Sequence, residues 1–187
     1  MTEISFLSAQ IAITLGWILC RLLVAFGQKG INWKREAQLL LVYICIQVVA
    51  RVTFFPFAKV DGAVQPLIFD AANALNFRIN FLPLVNLLDY EIRREALINV
   101  IGNTALFIPM GIVWPSVYKK LDTHWKVIAA GVGFSLTVEI LQLPFYDRVT
   151  DIDDLLLNSL GFLAGYGLYL LGKALAKRCK KGTGETL

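Results

Sequence analysis

The sequence predicts an all-α integral membrane helical bundle of about five transmembrane helices, with a re-entrant or interfacial segment on the outer face between the second and third. Three observations predict it. Hydrophobic residues make up 57% of the 187-residue chain, where soluble domains have about 45–50%. The mean hydropathy is +0.62. Apolar windows near Ile4–Phe26, Ala37–Phe57, Leu97–Val117, Trp125–Pro144 and Asp154–Ala176 each reach the roughly 20 residues that a helix needs to cross about 30 Å of hydrocarbon.

The first window follows Met-Thr-Glu rather than a basic leader, and no small-residue cleavage site comes after Phe26. It is expected to remain as a span rather than leave as a secretory signal. After the second span, the connection from Ala58 to Ala96 divides in two. Within Pro66–Phe77, Leu67, Ile68, Ala71, Ala72 and Leu75 recur near helical spacing, which predicts a short helix on the membrane surface or over the bundle. The following "INFLPLVNLL" is too short to cross, and Pro83 opposes a regular helix, so a lid or re-entrant loop is expected there. In the third span Pro109 and Gly111 predict a kink. The organisation expected is one transmembrane domain over residues 1–176 and a basic, flexible cytoplasmic tail over 177–187.

Lysine and arginine set the orientation, because short cytoplasmic loops retain positive charge during insertion. Lys29, Lys34, Arg35, Lys119, Lys120, Lys126, Lys173, Lys177, Arg178, Lys180 and Lys181 fall on one side; Lys59, Arg78, Arg93, Arg94 and Arg148 fall on the other. The amino terminus is therefore expected outside and the carboxyl terminus in the cytoplasm. Cys20 and Cys45 lie inside spans and Cys179 in the tail, so neither a disulfide nor a Cys/His metal site is expected. No basic stripe interleaves with exposed aromatics, which sets nucleic acid aside as a partner. His124, the only histidine, is expected as solvated surface in a cytoplasmic loop, which leaves no Ser-His-Asp or Cys-His mechanism on the outer face.

The polar residues within the spans carry the functional reading, since an ionisable side chain in hydrocarbon costs about 2.5–3.5 kcal/mol on insertion scales. Arg51 lies near the outer end of the second span, with Gln47 a turn deeper. Asn99 and Asn103 share a face of the third span, and Glu139 and Gln142 share one at the outer end of the fourth. Asp151, Asp154 and Asn158 recur at three and four residues where the fifth span enters, and Gly161 and Gly165 continue that stripe. These groups are expected at one level, as a polar pocket open to the outside, with Arg148 as counter-charge above it.

Each also has a plainer reading. Thr150 or Asp151 can cap the fifth helix. Arg51 or Arg148 can form an internal ion pair with Glu139 or Asp154. Asn99 and Asn103 can be interhelical hydrogen-bond glue, and Gly161 with Gly165 a close-packing motif.

From about Asn80 to Leu170 the sequence resembles the VanZ-like membrane proteins. The resemblance rests on "NFLPL" at Asn80–Leu84, "NVIGNTALFIPMGIVWP" at Asn99–Pro115, "EILQL" at Glu139–Leu143 and "RVTDIDDLLLNSLGFLAG" at Arg148–Gly165. Each block is weak alone; their order and spacing are specific. The family positions Asn99, Asn103, Glu139, Gln142, Arg148, Asp151, Asp154 and Asn158 are all filled, and Leu84 stands where Phe is commoner. The resemblance implies residence in the bacterial plasma membrane and a role in tolerance to teicoplanin-type glycopeptide antibiotics.

The first functional expectation is therefore a binding protein whose polar groups, Arg51, Asn99, Asn103, Gln142, Arg148 and Asn158 among them, recognise a glycopeptide antibiotic, a membrane lipid or a lipid-linked cell-wall precursor. The second is an enzyme on a lipid-linked or cell-wall substrate, with Glu139, Asp151 and Asp154 as catalytic carboxylates or as ligands of a divalent cation. A small transporter or flippase component ranks third, because no internal symmetry and no acidic groups in the inner half support alternating access.

Overall fold

In the computed structural model the described residues are 2–27, 31–55, 59–60, 62–70, 79–80, 93–146, 148 and 150–183. Five of its helices are long and apolar enough to cross a membrane, as expected: α1 (Phe6–Gly27), α2 (Trp33–Phe54), α3 (Arg93–Val117), α4 (His124–Gln142) and α5 (Ile152–Thr183). Short polar side chains start four of them. Ser5 Oγ accepts the Ser8 N–H at 3.1 Å, Asn32 Oδ1 that of Arg35 at 3.1 Å, Thr123 Oγ1 that of Lys126 at 3.4 Å and Asp151 Oδ1 that of Asp153 at 2.9 Å. Each satisfies one amide that the first helical turn leaves without an intrahelical partner. The last helix runs to Thr183, so the tail expected from residue 177 begins as helix.

The chain divides into two compact units: Met1–Pro83 with Leu136–Asp153, and Leu84–Ser135 with Asp154–Leu187. In the first, α1 and α2 meet through a polar knot. Thr14 Oγ1 and Tyr43 Oη lie 2.8 Å apart, and Gln47 Nε2 donates to Tyr43 Oη at 2.8 Å and to Thr14 Oγ1 at 3.1 Å. No residue of α1 is buried by the rest of the chain, which for a spanning helix means that lipid covers most of it.

Short strands gather at the helix ends of this unit. β1 (Thr2–Ile4) pairs antiparallel with β4 (Leu67–Phe69), while β2 (Lys59–Val60) pairs with β3 (Ala63–Val64). β5 (Ile79–Asn80) runs parallel to β6 (Thr150–Asp151). The exit of α4 joins the same ladder: Asp70 N–H donates to the Pro144 carbonyl and Tyr146 N–H to that of Ile68, both at 2.9 Å.

The helix expected over Pro66–Phe77 is therefore corrected at its start. Leu67, Ile68 and Phe69 form a strand because β1 and the Pro144–Tyr146 segment supply ladder partners that periodicity along one segment does not reveal. Ala71, Ala72 and Leu75 lie outside the described residues, as do Phe81–Tyr90, which include most of the expected re-entrant loop.

The second unit is a helix sandwich with an aromatic core. Phe107, Met110 and Phe162 are fully buried, and the Trp114 ring meets Phe134 and Phe162 edge-on at centroid distances of 5.2 and 5.9 Å. Glycines bring α3 and α5 together. A Cβ at Gly161 would overlap the Thr104 carbonyl, one at Gly165 that of Ile108, and one at Gly111 that of Phe162. Gly161 and Gly165 thus have the packing role expected of their spacing, and Gly111 shares it, while Pro109 and Pro115 both lie inside α3. His124, expected as solvated surface, is exposed but tied down: its Nδ1 lies 2.8 Å from Tyr166 Oη.

Candidate functional site

In the first unit the polar residues organise the place where α2 ends and α4 gives way to β6. A helix leaves its last carbonyls without intrahelical donors, and three side chains supply them. Arg51 donates from Nη1 to the Phe55 carbonyl at 2.6 Å, Gln142 from Nε2 to that of Thr53 at 2.8 Å and Arg148 from Nη2 to that of Phe54 at 2.6 Å. Two guanidinium groups at a helix carboxyl end also oppose the negative pole of its dipole. Residues expected to clamp a ligand therefore each commit at least one donor to the backbone of α2.

Beside them sits Glu139, only 2% exposed. Its Oε2 accepts the Asp151 N–H at 3.3 Å, and its own carbonyl accepts from Thr150 Oγ1 at 3.1 Å. Asp151 is used twice: Oδ2 accepts from Asn80 Nδ2 at 3.2 Å, and Oδ1 caps α5. The parallel pairing of β5 with β6, which sets Asn80 opposite Asp151, brings the start of "NFLPL" to the start of "TDIDD". Asn80 is the polar residue that sequence reasoning missed as a site candidate. Its only signal was its place at the head of a motif block, because its partner lies 71 residues away.

In the second unit α3 and α5 present a separate cluster. Asp154 Oδ1 accepts from Asn103 Nδ2 at 2.5 Å and from Asn99 Nδ2 at 3.3 Å, and Asn103 Nδ2 also reaches Asn99 Oδ1 at 3.1 Å. The two asparagines that share a face do converge on a carboxylate of the fifth span. One turn further along α5, Asn158 is 1% exposed and its Oδ1 has no hydrogen-bond partner among the described residues. Ser135, fully buried, donates to the Leu155 carbonyl at 3.4 Å; serine in an apolar helix was not singled out from sequence.

The expected site residues thus form two groups, Glu139–Gln142–Arg148–Asp151 with Arg51, and Asn99–Asn103–Asp154 with Asn158 following. Among the described residues no three His, Cys, Asp or Glu side chains are grouped to hold a metal ion. The donor sets are rich in amides and guanidinium groups, suited to hydrogen-bonding a polar head group or a peptide-like ligand.

Residues 40–173 match a family model described as VanZ/LLP1. The match begins at Leu40, so it takes in most of α2 as well as the segment from Asn80 whose motifs carried the resemblance. No curated protein and no solved structure matches the chain.

Proposed function

The chain belongs to the VanZ/LLP1 family, and on that premise we propose that it is a bacterial plasma-membrane protein whose outer-face polar residues bind a cell-envelope ligand and confer tolerance to teicoplanin-type glycopeptides. The ligand is the antibiotic itself, a membrane lipid or a lipid-linked wall precursor. The amino terminus lies outside and the carboxyl terminus inside, following the lysine and arginine distribution.

One observation carries the reading: Glu139, a carboxylate 2% exposed within a span. Keeping an ionisable group there costs about 2.5–3.5 kcal/mol on insertion scales, and such groups mark functional sites by default. A glutamine at that position can still accept from the Asp151 N–H, so a purely structural role survives Glu139→Gln. In a teicoplanin-sensitive host the wild-type chain is expected to raise tolerance and Glu139→Gln to abolish most of the gain, at equal membrane abundance and equal Tm. Equal tolerance from both forms overturns the reading.

The proximity of Glu139 and Asp151 favours a second reading, carboxylate catalysis on a lipid-linked substrate. Purified chain in vesicles containing a lipid-linked wall precursor separates the two. A changed precursor mass supports the enzyme; retention without change supports binding.

A further inference from the structure

Where α3 gives way to α4, the second unit ends in a set of rings and cations. Tyr169 Oη donates to the Pro115 carbonyl at 3.3 Å, and Tyr166 Oη lies 2.8 Å from His124 Nδ1. These contacts fix α5 against both the end of α3 and the start of α4. Four residues beyond Tyr169, on the same face of the helix, Lys173 Nζ lies 5.3 Å from the centre of the Tyr169 ring. Lys177 continues that face, and the loop between α3 and α4 carries Lys119 and Lys120. These four lysines and Arg178 are all exposed.

Acid is scarce at this end. Across Val117–Lys126 and Leu155–Thr183, Asp122 is the only carboxylate, and Lys126 Nζ already holds it at 2.8 Å. Among the described residues Lys119, Lys120, Lys173, Lys177 and Arg178 take part in no ion pair. The ring beside Lys173 lends it a polarisable surface but no counter-charge. Lys173 and Lys177, four apart, repel each other along the helix, and a helix dipole felt only in the last turn reaches neither. Yet α5 continues unbroken to Thr183. An anion on this face removes the repulsion.

The level of the cations selects the anion. With 32 residues, α5 is about 48 Å long, against about 30 Å of hydrocarbon, so it emerges from the membrane as helix. Tyr169 and the exposed Trp125 at the start of α4 are rings of the kind that gather at the membrane–water interface. From Tyr169, Lys173 lies about 6 Å along the helix and Lys177 about 12 Å, at or near one Debye length of about 8–10 Å. Lipid head groups therefore stand at the height of the stripe, with no linker between it and the span. We propose that this end of the second unit is a binding surface for anionic phospholipid head groups. Lys173 and Lys177 receive the phosphates, and Lys119 and Lys120 add to the same field. This role is independent of the one proposed for the outer face.

The test is native mass spectrometry of the whole chain released from vesicles of equal phosphatidylglycerol and phosphatidylcholine with matched acyl chains. Wild type is expected to retain phosphatidylglycerol in preference, and to lose that preference when the vesicles are prepared in high salt. Lys173→Gln lowers it by up to about fivefold, and Lys173→Gln/Lys177→Gln by up to about that factor again, with the helical circular dichroism intact. The conservative Lys173→Arg/Lys177→Arg keeps it. Lys34→Gln, the same change of charge in the other unit, also leaves it in place. Equal retention of the two lipids by wild type overturns the proposal and leaves the stripe as solvated surface. Equal retention together with capture of an RNA oligonucleotide overturns it in favour of nucleic acid. A preference that Lys173→Gln/Lys177→Gln keeps, or that Lys34→Gln lowers as far as Lys173→Gln does, overturns it as well.

Discussion

Asn103 shows how an amide can support a carboxylate inside a bundle. It donates to the Asp154 carboxylate and touches Asn99, so its loss would take a donor from a carboxylate that Asn99 also reaches, at 3.3 Å. Interhelical hydrogen bonds in membranes contribute about 0.6 kcal/mol on average and up to about 1.7. Asn103→Leu is expected to lie at the upper end of that range, because a partner carboxylate remains. Denaturant unfolding in detergent measures it, and Asn103→Asp, setting like charges together, should cost more than Asn103→Leu. The shared face of Asn99 and Asn103 was readable in sequence, since the two are four apart, but the carboxylate they meet was not. The roles of Arg51, Gln142 and Arg148 were not: spacing says that a side chain faces the bundle, but not that a helix end lies there to receive its donors.

At the scale of elements, the glycines divide sharply. Gly161 has the Thr104 backbone where a Cβ would go, whereas Gly167 and Gly172 have nothing within 4 Å. Gly161→Ala must push α5 away from α3 and is expected to cost about 1–3 kcal/mol, as overpacking does. Gly167→Ala should instead gain about 0.5–1 kcal/mol through helix propensity. Thermal melts of the two variants against wild type check the contrast, and equal shifts would refute the packing account. The small-xxx-small spacing announced the Gly161 contact in advance, and Asp151 was a cap candidate for α5 that the structure bears out, whereas the Ser5, Asn32 and Thr123 caps were not singled out. The strands were not legible. β1 with β4, and β5 with β6, are ladders between segments far apart in sequence, and strands of two or three residues carry no periodicity of their own.

For the whole molecule, the proposed orientation makes a direct prediction. With Cys20, Cys45 and Cys179 replaced by Ser, Lys119→Cys is expected to resist an impermeant thiol reagent on intact cells and react after permeabilisation. Tyr146→Cys, at the opposite end of α4, should react at once. Both positions are exposed, so access to reagent rather than burial decides the result, and the opposite pattern inverts the topology.

The sequence by itself determined the number of spans, their approximate extents, the cap of the fifth helix and the family. All of these rest on local quantities: apolar length against bilayer thickness, a short polar residue ahead of the fifth span, and motif blocks in order. Tertiary structure alone decided which polar groups meet. It placed Asn80 beside Asp151, turned Arg51, Gln142 and Arg148 toward the end of α2, and set Arg21 against Glu36. The reason is physical. Hydrocarbon tells each residue only that a polar group must find a partner; which partner depends on helix ends and strands that come together only when the chain has folded.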